Sequence, residues 1–157
     1  MKVKLIAIGK TDDKNLMHLI ENYQKRLSHY IKFEFKIIPD IKKAKNLSQI
    51  EQKEREGVLI LKEITSADQL ILLDEKGHEF RSVEFSRFIQ KKMNSGMKQL
   101  IFVIGGPYGF SNGVYQKAQG KISLSKMTFS HQMIRLFMVE QLYRAFTILK
   151  NEPYHHE

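Results

Sequence analysis

The sequence predicts an α/β fold, a mostly parallel sheet with helices on both faces. Three observations lead there. Short apolar runs alternate with segments of helical periodicity along the whole chain, the rhythm of βαβ units. The two middle runs, Leu70 to Leu73 and Leu100 to Ile104, are apolar without interruption, as strands covered on both faces are. No linker, repeat or low-complexity stretch divides the 157 residues. A single domain spanning 1–157 is therefore expected, long enough to bury a core without staples.

Each element has its own signal. "KVKLIAIG" reads as the first strand. Leu16, Leu19, Ile20, Tyr23 and Leu27 then fall at helical spacing between Lys14 and Tyr30. "KFEFKIIPD" alternates charged and apolar residues and stops at Pro39. Asn46 to Ile64 is charged and helical, with Asn46 or Ser48 as its cap. "DQLILLDEKG" reads as a short strand ending in an Asp-Glu-Lys-Gly turn. Ser82 caps the next helix, which "NSG" breaks at Asn94 to Gly96. "QLIFVIGG" is the most buried-looking strand. A short helical piece near Val114 to Ala118 precedes the fifth strand, "GKISLSKM". A long helix from Ser130 to Lys150 and the tail "NEPYHHE" finish the chain.

Lys and Arg total 26 against 17 acids, a net charge of +9. On a small protein that balance points to a polyanion, most often nucleic acid, or simply to a soluble basic protein. There is no Cys, which excludes disulfides and thiolate metal sites and suits a reducing compartment. No metal site is expected. The N-terminal apolar run is too short for a signal segment, and no stretch approaches the ~20 residues of a membrane span. A cytoplasmic protein is expected.

The stretch "LIFVIGGPYGF" runs a buried strand into Gly105, Gly106 and Gly109. Ligands of open α/β sheets sit beyond the carboxyl ends of the strands. Three such ends stand out: Leu73-Asp74, Gly105-Gly106, and Leu124 to Phe129. Bare peptide groups there would let a ligand approach closely. The plainer alternative is a tight turn needing glycine for its backbone. The loop lacks the Lys-Ser/Thr of a P-loop and does not fit G-x-G-x-x-G. "GPYG" matches the G-x-x-G of a KH loop only in four letters, and in the wrong context.

"FVIGGPYGF", "ISLSKMTFSHQMIRLFMVEQLYRAF" and the terminal "YHH" together resemble the RlmH family, bacterial ribosomal RNA large-subunit methyltransferases of the SPOUT superfamily. The likeness covers essentially the whole chain and is most specific from Ser123 to Phe146. It implies a C-terminal trefoil knot, which general topology rules would not suggest. It implies a homodimer that uses S-adenosylmethionine to methylate N3 of a pseudouridine in 23S rRNA on the assembled ribosome. The cofactor contacts it implies are Leu73, Gly105, Leu124, Ser125, Lys126, Met127, Thr128 and Phe129.

Methyl transfer from a sulfonium is an in-line displacement, so positioning dominates. The adenine needs an apolar slot, which Leu73, Ile104, Leu124 and Met127 could line. The acceptor imide must lose a proton, and His131 is the first candidate base. The alternative for His131 is a residue that only packs or caps the helix start. Arg135, one turn later, could hold a phosphate or stabilise the imide anion. Its alternative is a surface ion pair. Tyr154 and His155 match the family's tail, which serves the active site and RNA. His156 stands where the family has Arg or Lys, and Glu157 adds an acid, which weakens the case for a phosphate contact there. A frayed terminus is the alternative.

The final helix is apolar on several sides, so it is either deeply buried or shared with a second subunit. A dimer interface is favoured over core burial, and twofold pairing would set each tail near the partner's cofactor site. The basic clusters at Lys42 to Lys45, Lys91-Lys92, Lys117, Lys121 and Lys126 could lie on rRNA phosphates. Only Lys126 is assigned to a site. The competing class is a non-catalytic RNA- or ribosome-binding protein, which would have no use for a cofactor slot. A small nucleotide binder is disfavoured by the missing phosphate-loop signatures.

Overall fold

The structure is a computed structural model that describes residues 1–42 and 44–156. Lys43 of the first basic cluster and Glu157 of the tail lie outside the described residues. Among the described residues the strands are β1 (Lys2–Ile8), β2 (Lys32–Ile38), β3 (Asp68–Glu79), β4 (Gln99–Ile104) and β5 (Gly120–Ser123). The helices are α1 (Lys14–Leu27), α2 (Gln49–Lys62), α3 (Ser82–Asn94), α4 (Asn112–Lys117) and α5 (Met133–Leu149). The strands form one five-stranded sheet in the order β2-β1-β4-β3-β5. Every adjacent pair is parallel, as the alternating pattern predicts.

Strand parity decides which side each residue serves. Val3, Leu5 and Ala7 of β1, with Leu100, Phe102 and Ile104 of β4, pack on one face under α1, α3 and α5. Ile6, Ile8, Ile101 and Val103 pack on the other under α2 and α4. Helices therefore cover both faces, which is why β4 has no polar residue between Leu100 and Ile104. Local caps set the helix starts. The Asp13 carboxylate accepts from the Leu16 N–H at 2.9 Å, and Ser48 opens α2 with a reciprocal bond to Glu51. At α3 the cap is Arg81, not Ser82. There Glu84 accepts from the Arg81 N–H at 2.8 Å.

Three other boundaries differ from expectation. The fifth strand ends at Ser123, and Leu124 to Met127 are loop. The last helix begins at Met133, with Ser130 to Gln132 in the turn before it. β3 does not stop at its acidic turn. Leu73 pairs with Ile122, the chain makes an excursion over residues 74–77, and His78 returns to the same Ile122. Gly77 permits that return: a Cβ there would lie 2.4 Å from the Ile122 backbone carbon.

α5 lies between α1 and α3. It buries Met138, Val139, Leu142, Ala145 and Phe146. Packing on a sheet and two flanking helices accounts for most of its apolar breadth, so core burial explains more of this helix than expected. Phe129 and Met133 remain exposed, and Phe137 is half-buried against Phe129 with ring centroids 4.9 Å apart.

Candidate active site

The carboxyl ends of β3, β4 and β5 open into one cleft of about 600 Å³. Leu73 and Ile104 form its floor with Ile122. Residues 105–110 form one wall, residues 123–125 and 127–131 another, and Asp74 to Lys76 a third. The volume lies within the range of small-molecule sites, roughly 300–1,000 Å³.

The three glycines of "GGPYG" meet demands from the protein itself. Gly109 has φ +79° and donates its N–H to the Gly106 carbonyl at 3.1 Å, closing the turn. A Cβ on Gly106 would lie 2.4 Å from a carboxylate oxygen of Glu56. A Cβ on Gly105 would lie 3.1 Å from the Phe110 ring. The turn alternative therefore explains Gly109, and close packing explains the other two. Glu56 is buried at 3% exposure. One oxygen accepts from Gln52 Nε2 at 2.8 Å, and the other has no partner among the described residues. Burial pushes this carboxyl above its ordinary range, the Gln52 bond opposes the shift, and the Asp40 charge adds to it.

The third wall is held from α4. The Tyr115 hydroxyl donates to Asp74 Oδ2 at 2.5 Å, while Asp74 Oδ1 accepts from the Lys76 N–H at 2.8 Å. Burial, and then the Asp74 bond, push the Tyr115 hydroxyl up to about 12. It is therefore the donor at neutral pH.

The second wall is a chain of short serine bonds. Ser123 Oγ donates to the Ser125 carbonyl at 2.7 Å, and Ser125 Oγ accepts from the Met127 N–H at 2.9 Å. Ser130 Oγ accepts from the Met133 N–H at 3.1 Å, giving the first amide of α5 a partner. Next to it, Gln132 bridges to the β1–α1 loop. Its Nε2 donates to the Lys10 carbonyl at 2.9 Å, and its Oε1 accepts from the Asp12 N–H at 3.1 Å.

Arg135 completes that bridge from inside. Its side chain is fully buried at 0% exposure. Nη2 donates to the Ile8 carbonyl at 2.7 Å, Nη1 to the Gly9 carbonyl at 2.9 Å and to Thr11 Oγ1 at 3.1 Å, and Nε to the His131 carbonyl at 3.0 Å. Burial lowers its pKa from the ordinary value, and the charges of Asp12 and Asp40 oppose the shift. The guanidinium thus ties the end of β1 to the turn that carries His131.

Residues 1–155 match the family model described as "Predicted SPOUT methyltransferase". The chain belongs to the SPOUT methyltransferase family. It is similar to proteins named ribosomal RNA large subunit methyltransferase H. With the one from Flavobacterium johnsoniae it shares 69% identity, and with that from Flavobacterium psychrophilum 71%, in each case over 100% of both chains. With that from Parabacteroides distasonis it shares 62%, again over 100% of both.

Of the cofactor contacts implied by the SPOUT resemblance, Leu73, Gly105, Leu124, Ser125, Met127, Thr128 and Phe129 line the cleft. Lys126 sits in the same loop, exposed, but is not part of the wall. His131 is exposed and lines the cleft. Arg135 departs from expectation. It neither faces the cleft nor makes a surface ion pair, because backbone carbonyls at the end of β1 take up its donors. The sequence marks Asp74 only as a strand end, with no role for its carboxylate, and it does not single out Tyr115. Nothing in the sequence pairs the two.

The tail is pinned, not frayed. The Tyr154 hydroxyl donates to Glu140 Oε1 at 3.0 Å and lies 3.1 Å from the Tyr23 hydroxyl. His155 Nδ1 lies 3.3 Å from an Arg144 guanidinium nitrogen, and Tyr30 bonds Glu152. Burial, the Tyr23 bond and Glu140 raise the Tyr154 pKa. Tyr154 and His155 thus rest on α1 and α5 of their own chain and do not line its cleft. Among the described residues no group of three metal-binding side chains occurs, and no helix is long and apolar enough to cross a membrane.

Proposed function

We propose that this protein transfers a methyl group from S-adenosylmethionine to N3 of a pseudouridine in 23S rRNA, on the assembled ribosome. One observation carries the reading. The Ser123–His131 loop, the start of the segment most specific to the resemblance (Ser123 to Phe146), lines the same cleft as Leu73 and Gly105. Family membership supplies the methyltransferase class, and the net charge of +9 suits an RNA substrate.

The cleft fits the cofactor in size and chemistry. Leu73, Ile104, Leu124 and Met127 offer apolar surface to an adenine, and loop peptides offer hydrogen bonds. When bound, S-adenosylmethionine supplies a methyl group on a sulfonium for in-line displacement. His131 is the proposed base, its imidazole taking the imide proton. Arg135 fixes the His131 backbone and does not touch substrate. Tyr154 and His155 can serve a cleft only by reaching a partner's. We therefore read the protein as a homodimer whose exposed Phe129 and Met133 belong to the interface. The reading further includes a single domain, a knotted C-terminal segment and a cytoplasmic location.

The first test is calorimetric titration with S-adenosylmethionine. Gly105→Val is a poor control, since a side chain there already meets Phe110. Thr128→Trp, on an exposed loop, fills the cleft without touching the core. The expected result is saturable binding in the wild type that Thr128→Trp abolishes. Methyl transfer to whole ribosomes, with little to naked 23S rRNA, completes the test. Transfer at equal rates to both would refute the ribosome requirement.

A further inference from the structure

We propose that Tyr115 is a positioning residue of the methyl-donor cleft, clasping the Asp74–Gly77 excursion of β3 through Asp74 so that it stands as a fixed wall. The inference rests on the reading of this cleft as the donor site.

The excursion cannot hold itself. It leaves the sheet after Leu73 and rejoins it at His78, with both ends on Ile122. Residues 74–77 therefore have no ladder partner of their own among the described residues. Glu75 and Lys76 are exposed, so packing contributes little there. Gly77 packs against the Ile122 backbone at its far end, and among the described residues two side-chain bonds hold the rest, both through Asp74. Oδ1 closes a local turn onto the Lys76 N–H, which shapes the loop but ties it to nothing outside. Oδ2 accepts the Tyr115 hydroxyl, the link that joins the excursion to α4. A bond to an ionised acceptor is among the stronger kinds.

Tyr115 is itself well placed as an anchor. Its ring meets Phe110 edge-on at 5.8 Å, and the Lys121 ammonium lies 5.6 Å from its ring centroid. Phe110 in turn packs against Gly105 at the base of the cleft. One side chain thus connects the β4–α4 wall to the β3 wall, and Asp74 and Tyr115 both line the cavity between them. A donor entering this cleft meets a wall already ordered, and ordering entropy otherwise charged to binding is avoided.

Tyr115→Phe keeps the ring and removes only the hydroxyl. In the free protein, amide exchange at residues 75–78 should accelerate roughly tenfold, the scale one charge-assisted bond sets. Calorimetry with S-adenosylmethionine, at a temperature where both proteins are folded, should show affinity weakened by about the same factor. In steady state the donor KM should rise with kcat unchanged, which general destabilisation would not produce. Adding Tyr115→Phe to Asp74→Ala should change nothing further. Unchanged exchange overturns the clasp. Faster exchange with unchanged donor affinity overturns the positioning role. Failure of the wild type itself to bind the donor overturns the functional reading, and this role with it.

Discussion

Replacing Arg135 separates a structural clamp from a substrate contact. Arg135→Met keeps the apolar stem and removes the guanidinium. Four hydrogen bonds disappear, to Ile8, Gly9, Thr11 and His131. A net hydrogen bond to a charged group contributes about 1.5–3 kcal/mol, and each buried acceptor left bare costs about 1–3 kcal/mol. These terms do not add in full, because Met no longer pays the desolvation of a buried cation. A loss of about 3–5 kcal/mol is expected, a large share of the roughly 5–15 kcal/mol that a domain has. At about 2–4 °C per kcal/mol, the thermal midpoint falls by about 6–20 °C. Arg135→Lys offers three donors but no planar fork, and should lose about 2 kcal/mol. Urea unfolding without cofactor or RNA measures both. A loss under about 1 kcal/mol, together with abolished methyl transfer, would refute the clamp and return the guanidinium to the substrate.

Three further expectations follow from the site and its surroundings. Gly106→Ala puts a Cβ 2.4 Å from the Glu56 carboxylate and should cost about 1–3 kcal/mol. Adding Glu56→Ala should recover part of that loss in a denaturation cycle, and strict additivity would disprove the contact. Glu56 has a folded pKa raised by burial above the ordinary 4.5. The folded state therefore holds its proton more tightly than the unfolded chain. The wild type should lose stability relative to Glu56→Gln as pH rises from the ordinary carboxylate range through the raised value. Parallel stability curves from pH 3 to 8 would exclude this. If Tyr154 serves the partner's cleft, mixing His131→Ala with Tyr154→Phe chains should restore activity, because one cleft per mixed dimer then has both groups. No recovery in verified mixed dimers would place the tail elsewhere.

Local rules reached the sheet because its signals are local. An uninterrupted run such as Leu100 to Ile104 states its own burial on both faces, and alternation states the parallel topology. The cleft was legible for a related reason: strand ends mark ligand positions in this architecture whatever the ligand. What escaped was long-range pairing. Nothing near Arg135 says that its donors go to Ile8 and Gly9, more than a hundred residues away. A cation one turn from a candidate base reads equally well as a substrate contact. The same holds for Tyr115 and Asp74, and for the carboxylate that excludes a side chain at Gly106. In each case a polar group spends its bonding capacity on distant backbone or another element. Chemistry that looks free for function in the sequence is already engaged in holding the loops that line the cleft. His131 differs: its carbonyl is held by Arg135, and the residue is exposed and lines the cavity. A held backbone beside the cleft suits the base proposed for it, since a proton-transferring group must be positioned before its pKa matters.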